Sequence, residues 1–174
     1  AVERALLPFS SATEGGENPF VVQLELQKTM HELVGIIRRE EEMSLALKAL
    51  QDIAVRTRTV SVEGHREFNP GWHLALDLRN MLLVSLCVAK AALERQESRG
   101  GHTRDDYPAM DSDWRHVLLV LSAARDEDSN DPVELRREEQ VAMRSDLLDL
   151  FELDELKKYY TGEELGGHRA GGIS

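Results

Sequence analysis

The sequence predicts a mainly α-helical protein: an antiparallel three-helix bundle followed by a smaller, partly irregular C-terminal module. Three observations carry that expectation. Leu and Ala recur throughout while aromatic residues make up only 5% of the chain, a balance that favours packed helices over a sheet of aromatic and β-branched residues. Apolar residues return at three-and-four spacing in three separate stretches. A content of 41% hydrophobic and 30% charged residues suits a chain that buries a core rather than one that stays disordered.

In chain order, residues 1–17 are expected to be a linker or the remnant of a preceding domain, 18–98 the bundle and 99–174 the module. Ala1 to Leu7 reads as the end of an earlier element that Pro8 closes, and the start at Ala1 rather than Met suggests a piece of a longer protein. Ser, Thr, Gly and Glu then dominate up to Pro19. Asn18 can cap a first helix with Pro19 in its first turn, and Leu26, Met30, Leu33, Val34 and Ile37 mark one face of it to about Arg38. The charged run Arg38 to Glu42 reads as a solvated helix face or end. A second helix carries Met43, Ala46, Leu47, Leu50, Ile53 and Ala54. Thr57 to Val62 and Gly64 then give an irregular crossover.

The third helix is the most apolar, with Leu74, Leu78, Met81, Leu82, Ser85, Val88, Ala89, Ala92 and Leu93 in register. Leu76, Leu83, Val84, Leu86 and Cys87 widen its apolar surface, so it is expected to be covered on more than one side. Leu26, Met30, Leu33, Leu47, Leu50, Leu78, Met81, Leu82 and Val88 should share one core. Beyond it, Ser98 to Asp113 reads as a loop, Val117 to Leu121 as one buried strand, and Arg125 to Pro132 as a polar loop. Ser145 to Lys158 reads as a short helix, and the Gly-rich end as a flexible tail.

Composition also excludes functions. A formal charge of −11 repels phosphate backbones, so nucleic acid is not an expected partner. No run of about 18 apolar residues exists, so no direct membrane insertion is expected. The single Cys87 can form no intrachain disulfide, which fits a reducing cytoplasm. His65, His73, His102 and His116 lack metal-ligand spacing, and no metal is expected. Ser98, His102 and Asp105 supply the letters of a hydrolase triad without a nucleophile elbow. The paired glycines at 100–101 and 166–167 are too short for a phosphate cradle.

One polar run remains, Arg95-Gln96-Glu97-Ser98-Arg99-Gly100-Gly101-His102-Thr103-Arg104-Asp105-Asp106, directly after the most apolar helix. Its arginine forks suit fixed carboxylate or backbone partners. Two readings stand open: an internal clamp, or a docking surface for another domain. On the docking reading Arg99, His102, Arg104, Asp105 and Asp106 hold that junction, and Arg104→Ala should barely change the stability of this chain. No catalytic or cofactor-binding residue is expected.

The same residues carry a resemblance. Asp77-Leu78-Arg79-Asn80-Met81-Leu82, then Ala92 through Pro108, then Asp113-Trp114-Arg115-His116 together resemble the C-terminal region of the flavoprotein subunit of succinate dehydrogenase and fumarate reductase. The likeness covers about residues 17–120; the tail, through Asp146-Leu147-Leu148, Glu152, Lys157 and Tyr159-Tyr160, is similar to some bacterial members. Gly101 replaces the commoner alanine, and Met110-Asp111-Ser112 replaces an Arg-Asp-Asp run.

The resemblance implies a three-helix bundle with a smaller C-terminal module. It also implies a parent enzyme that interconverts succinate and fumarate with covalent FAD and passes electrons to an iron-sulfur subunit. That parent complex would be held at the cytoplasmic face of the membrane through other subunits. The flavin-binding domain of the parent chain and the iron-sulfur subunit are the implied partners, and FAD would be bound outside this stretch, which would serve as scaffold and docking region. L-aspartate oxidase shares the E-S-R-G-x-H pattern; Asn69-Pro70-Gly71-Trp72-His73 and Trp114-Arg115-His116 favour the dehydrogenase. A free-standing helical adaptor is the alternative from another class.

Overall fold

The computed structural model describes residues 2–10, 15–124, 132–141, 143–158, 160 and 165. They fall into two compact units, 1–138 and 139–174. In the first, α1 (Val2–Ser10), α2 (Pro19–Leu33), α3 (Glu40–Arg56) and α4 (Pro70–Glu94) are joined by short strands and loops. The chain is mainly α, as its composition predicts.

Both Asn-Pro pairs start helices. The Asn18 side chain accepts from the Phe20 N–H at 2.9 Å, and Asn69 accepts from the Trp72 N–H at 3.1 Å, each satisfying a donor that the first turn leaves without a partner. Helices α2, α3 and α4 pack mutually. Arg56 at the end of α3 is bonded to Glu17 and Glu25 near the start of α2, so α3 runs back along α2. The core between them includes Val22, Leu26, Leu50, Ile53, Leu78, Leu82 and Leu86, with Met30, Leu33, Leu47 and Met81 packed against it.

Several expectations need correction. Helix α2 stops at Leu33 instead of Arg38. Gly35 explains why: a Cβ there would lie 2.8 Å from the His31 carbonyl oxygen, so the chain passes too close to the helix end for any side chain. Ile37–Arg38 then forms β1, which pairs in parallel with β2, Thr103–Arg104. Val88 is 41% exposed, as are Leu83 and, at 61%, Val84. Val88 stands six positions beyond Leu82, which turns it about 120° off the buried line at about 100° per residue. That line runs through Leu78, Leu82, Leu86, Ala89 and Ala92, and the side of α4 that carries Leu83, Val84 and Val88 is exposed. Pro8 does not close α1, which continues to Ser10; the Pro8 carbonyl accepts from the Val62 N–H at 2.9 Å.

A strand does follow the loop, but β3 (Val117–Ala123) is only partly buried, and it is paired with β4 (Val133–Glu139). The charged residues Arg136 to Glu139 thus lie in a strand. Of the polar loop expected at 125–132, only Pro132 is described; its carbonyl accepts from the Ala124 N–H at 2.9 Å. In the second unit, the single helix expected over 145–158 is two separate turns, α5 (Ser145–Leu148) and α6 (Leu153–Leu156), with Glu152 extended between them. The expected flexible tail lies, apart from Leu165, outside the described residues. No helix among the described residues is long and apolar enough to cross a membrane.

Candidate functional site

The polar run after α4 folds back on itself. Arg99 and His102 exchange backbone hydrogen bonds at 2.8 and 3.0 Å, closing a turn in which Gly100 has φ +59°, a conformation glycine adopts without steric cost. The turn delivers Thr103–Arg104 to β1, and the Asp105 N–H extends the ladder to the Arg38 carbonyl at 3.0 Å.

Arg104 is at its centre and has no exposed surface. Its Nη1 donates to the carbonyls of Ala92 and Leu93 at 3.0 and 3.1 Å, which the end of α4 leaves without intrahelical partners. A cation there also complements the negative end of the helix dipole. Nε and Nη2 meet the two oxygens of Asp106 at 2.6 Å each, a bidentate fork. The guanidinium lies 4.9 Å from the Tyr107 ring centre. Asp106 in turn accepts from the Glu40 N–H at 3.0 Å, capping α3, whose own cap residue makes no such bond. The Arg104 guanidinium holds the Asp106 carboxyl at about 2. One ion pair therefore ties the end of α4 to the start of α3.

Glu97, also without exposed surface, is a second centre. Arg95 and Arg99 donate to it at 2.6, 2.9 and 3.0 Å, and the Asp111 N–H at 3.0 Å. Burial pushes the carboxyl up, but the two arginines and the backbone donor outweigh it and hold it below its ordinary range. Arg95 reaches on to the Trp114 and Val117 carbonyls, and the guanidiniums of Arg95 and Arg137 lie 5.2 Å and 4.6 Å from the Trp114 ring centre.

His102 joins the two centres. Its Nε2 stands 3.0 Å from the Arg95 carbonyl and its Nδ1 2.7 Å from Arg38 Nη1. A carbonyl only accepts and a guanidinium only donates, so Nε2 carries the proton and Nδ1 is bare: the ring is neutral. Burial lowers its pKa below 6.5, and the charges of Arg38, Arg104 and Arg95 add to this. The unfolded chain therefore binds this proton more readily, so the stability the neutral ring contributes is present above pH 6.5 and is lost as pH falls through the folded value. In His102→Gln, whose amide can accept from Arg38 and donate to Arg95, that part of the decline should vanish from urea unfolding measured below pH 6.5.

Of the five residues expected at a docking junction, all sit together in this cluster. Arg104, however, is fully buried and bonded to Asp106 and to the carbonyls at the end of α4, which argues against the expectation that its removal costs little. Asp105 is 45% exposed and pairs with Arg39. Sequence reasoning missed Arg38 and Arg39, read as a solvated helix end, and gave Glu97 no role of its own. Gly35 hints at a stop before them, but the close approach to the His31 carbonyl that ends α2 shows only in the folded backbone. The guanidiniums of the cluster meet carboxylates or carbonyls of this chain, the bonding that an internal clamp requires.

The family model for the fumarate reductase flavoprotein C-terminal region matches residues 23–148. The fumarate reductase flavoprotein subunit of Helicobacter pylori is 33% identical over 117 residues, 66% of this chain and 16% of that protein. The succinate dehydrogenase flavoprotein subunit of Coxiella burnetii is 37% identical over 105 residues, 59% of this chain and 18% of its own length. A solved structure of Mycobacterium smegmatis Sdh1 in complex with UQ1 is 57% identical with a TM-score of 0.84, covering 95% of this chain and 27% of that one. The chain thus spans less than a third of the proteins it matches.

Proposed function

This chain belongs to the fumarate reductase flavoprotein C-terminal family, and from that premise we propose that it is the scaffold and docking region of a succinate dehydrogenase or fumarate reductase flavoprotein subunit. The parent interconverts succinate and fumarate with covalent FAD and passes electrons to an iron-sulfur subunit, other subunits holding the complex at the cytoplasmic face of the membrane. The observation that carries the reading is the 57% identity over 95% of the chain to Sdh1.

In this reading the clamp fixes α3 and α4, and the outer side of the 99–106 turn, with Asp105 and Arg39, faces the flavin-binding domain of the parent. The arginines beside Gly100 and Gly101 are already bonded to Glu97, Asp106 and backbone carbonyls, which supports a reading in which the FAD pyrophosphate is held elsewhere in the parent. The flavin belongs to the remainder of the parent, and the residues here carry position rather than chemistry. Purified alone, the chain should show no flavin absorbance and reduce no dye with succinate, whereas the full-length parent should do both. A yellow isolated chain, or a full-length parent inert toward succinate and fumarate, would sink this proposal.

A further inference from the structure

Among the described residues, Phe68 alone apart from glycines has a positive φ, at 52°. That conformation crowds the Cβ of a bulky side chain against the backbone, and it persists only where the surroundings enforce it. Asn69 enforces it here. Its Nδ2 donates to the Glu63 and His65 carbonyls at 2.9 and 3.0 Å while its Oδ1 caps α4, so the loop 63–69 is tied to the helix it precedes. The outcome is an aromatic ring that is 98% exposed on a backbone held in a strained shape. A backbone fixed in advance leaves less freedom to lose when the ring it carries is buried against a partner, which favours such aromatic residues as interface anchors.

What would cover the ring follows from where α1 lies. The Trp72 Nε1 donates to the Ala5 carbonyl at 2.7 Å, the Phe9 and Trp72 rings are tilted against each other at 5.4 Å, and Arg66 lies 5.8 Å from the Phe9 ring centre. Phe9, Val62, Gly64, His65, Arg66 and Glu67 line one open hollow. The matching family model is a C-terminal one and the matched proteins are several times longer. In the parent proposed above, the polypeptide before Val2 therefore joins this unit through α1, at the foot of the Phe68 loop.

We infer that Phe68 is the apolar anchor by which this unit docks onto the N-terminal remainder of its parent flavoprotein, its ring entering an apolar pocket there. The inference rests on the parent reading and adds to it a second contact, at the opposite end of α4 from the arginine clamp.

Hydroxyl-radical footprinting tests it without mutation, since the oxidation rate of a phenylalanine ring reports its exposure. Phe68 should oxidise several-fold more slowly in the full-length parent than in the 174-residue chain. Met110, 58% exposed just beyond the clamp, reports on the other contact in the same digest. Equal Phe68 rates overturn the inference: if Met110 is nevertheless protected in the parent, docking through the clamp stands, and if neither changes, the docking reading falls as well. Phe68→Ala in the parent should raise the oxidation of the hollow's Phe9 while leaving the circular dichroism of the 174-residue chain unchanged. An unchanged Phe9 rate in that variant also counts against the anchor.

Discussion

Arg104→Ala should lower the unfolding free energy of the chain by about 3 to 5 kcal/mol, the cost of removing one member of a buried ion pair. Arg104 has no exposed surface, and its loss strands three kinds of partner at once. Asp106 keeps a charge with nothing opposite it. The Ala92 and Leu93 carbonyls at the end of α4 lose their donor. Tyr107 loses the cation beside its ring. Because Asp106 is 28% exposed, water can recover part of its solvation, which places the effect toward the lower bound. Urea unfolding at neutral pH reads it directly, and a change within about 0.5 kcal/mol, as at ordinary surface sites, would mean that the guanidinium is not the clamp. Asp106→Asn should cost less, since an amide can still accept from the Glu40 N–H.

Glu97→Ala is expected to cost about 3 kcal/mol by the same mechanism, with the signs reversed. Arg95 and Arg99 would then face each other with no carboxylate between them, and the part-buried bond from the Asp111 N–H would lose its acceptor. Both arginines are partly exposed, at 21% and 29%, so they can turn to water, and the effect should not exceed that of Arg104→Ala. Glu97→Gln keeps one acceptor oxygen and should fall between wild type and alanine. Equal stability of Glu97→Ala and wild type would remove the second centre from the account.

The helices were legible because their signals are local. Apolar spacing marks the inner lines of α2, α3 and α4, and Asn18 and Asn69 with the prolines behind them mark two starts. The ends were less legible. Gly35 stops α2 through a close approach to the His31 carbonyl that only the folded backbone reveals. Strand β4 was missed because Val133-Glu134-Leu135-Arg136-Arg137-Glu138-Glu139 is mostly charged, and its pairing with β3 rather than its own propensity makes it a strand. The polar run announced a cluster, but its partners come from far along the chain: Arg38 meets His102 across 64 residues and Glu40 meets Asp106 across 66. Whether an arginine faces a partner domain or its own helix end depends on that tertiary placement. Phe68 was invisible for the same reason, since neither its φ nor its exposure is written in the neighbouring residues.

The central claim is that the cluster acts through structure and takes no part in chemistry. Turnover per bound flavin in the full-length parent carrying Arg104→Ala, assayed with succinate at a temperature where the variant stays folded, tests it most directly. Lower thermal stability with an unchanged rate per flavin is the predicted result. A rate per flavin that collapses while thermal stability matches wild type would contradict it.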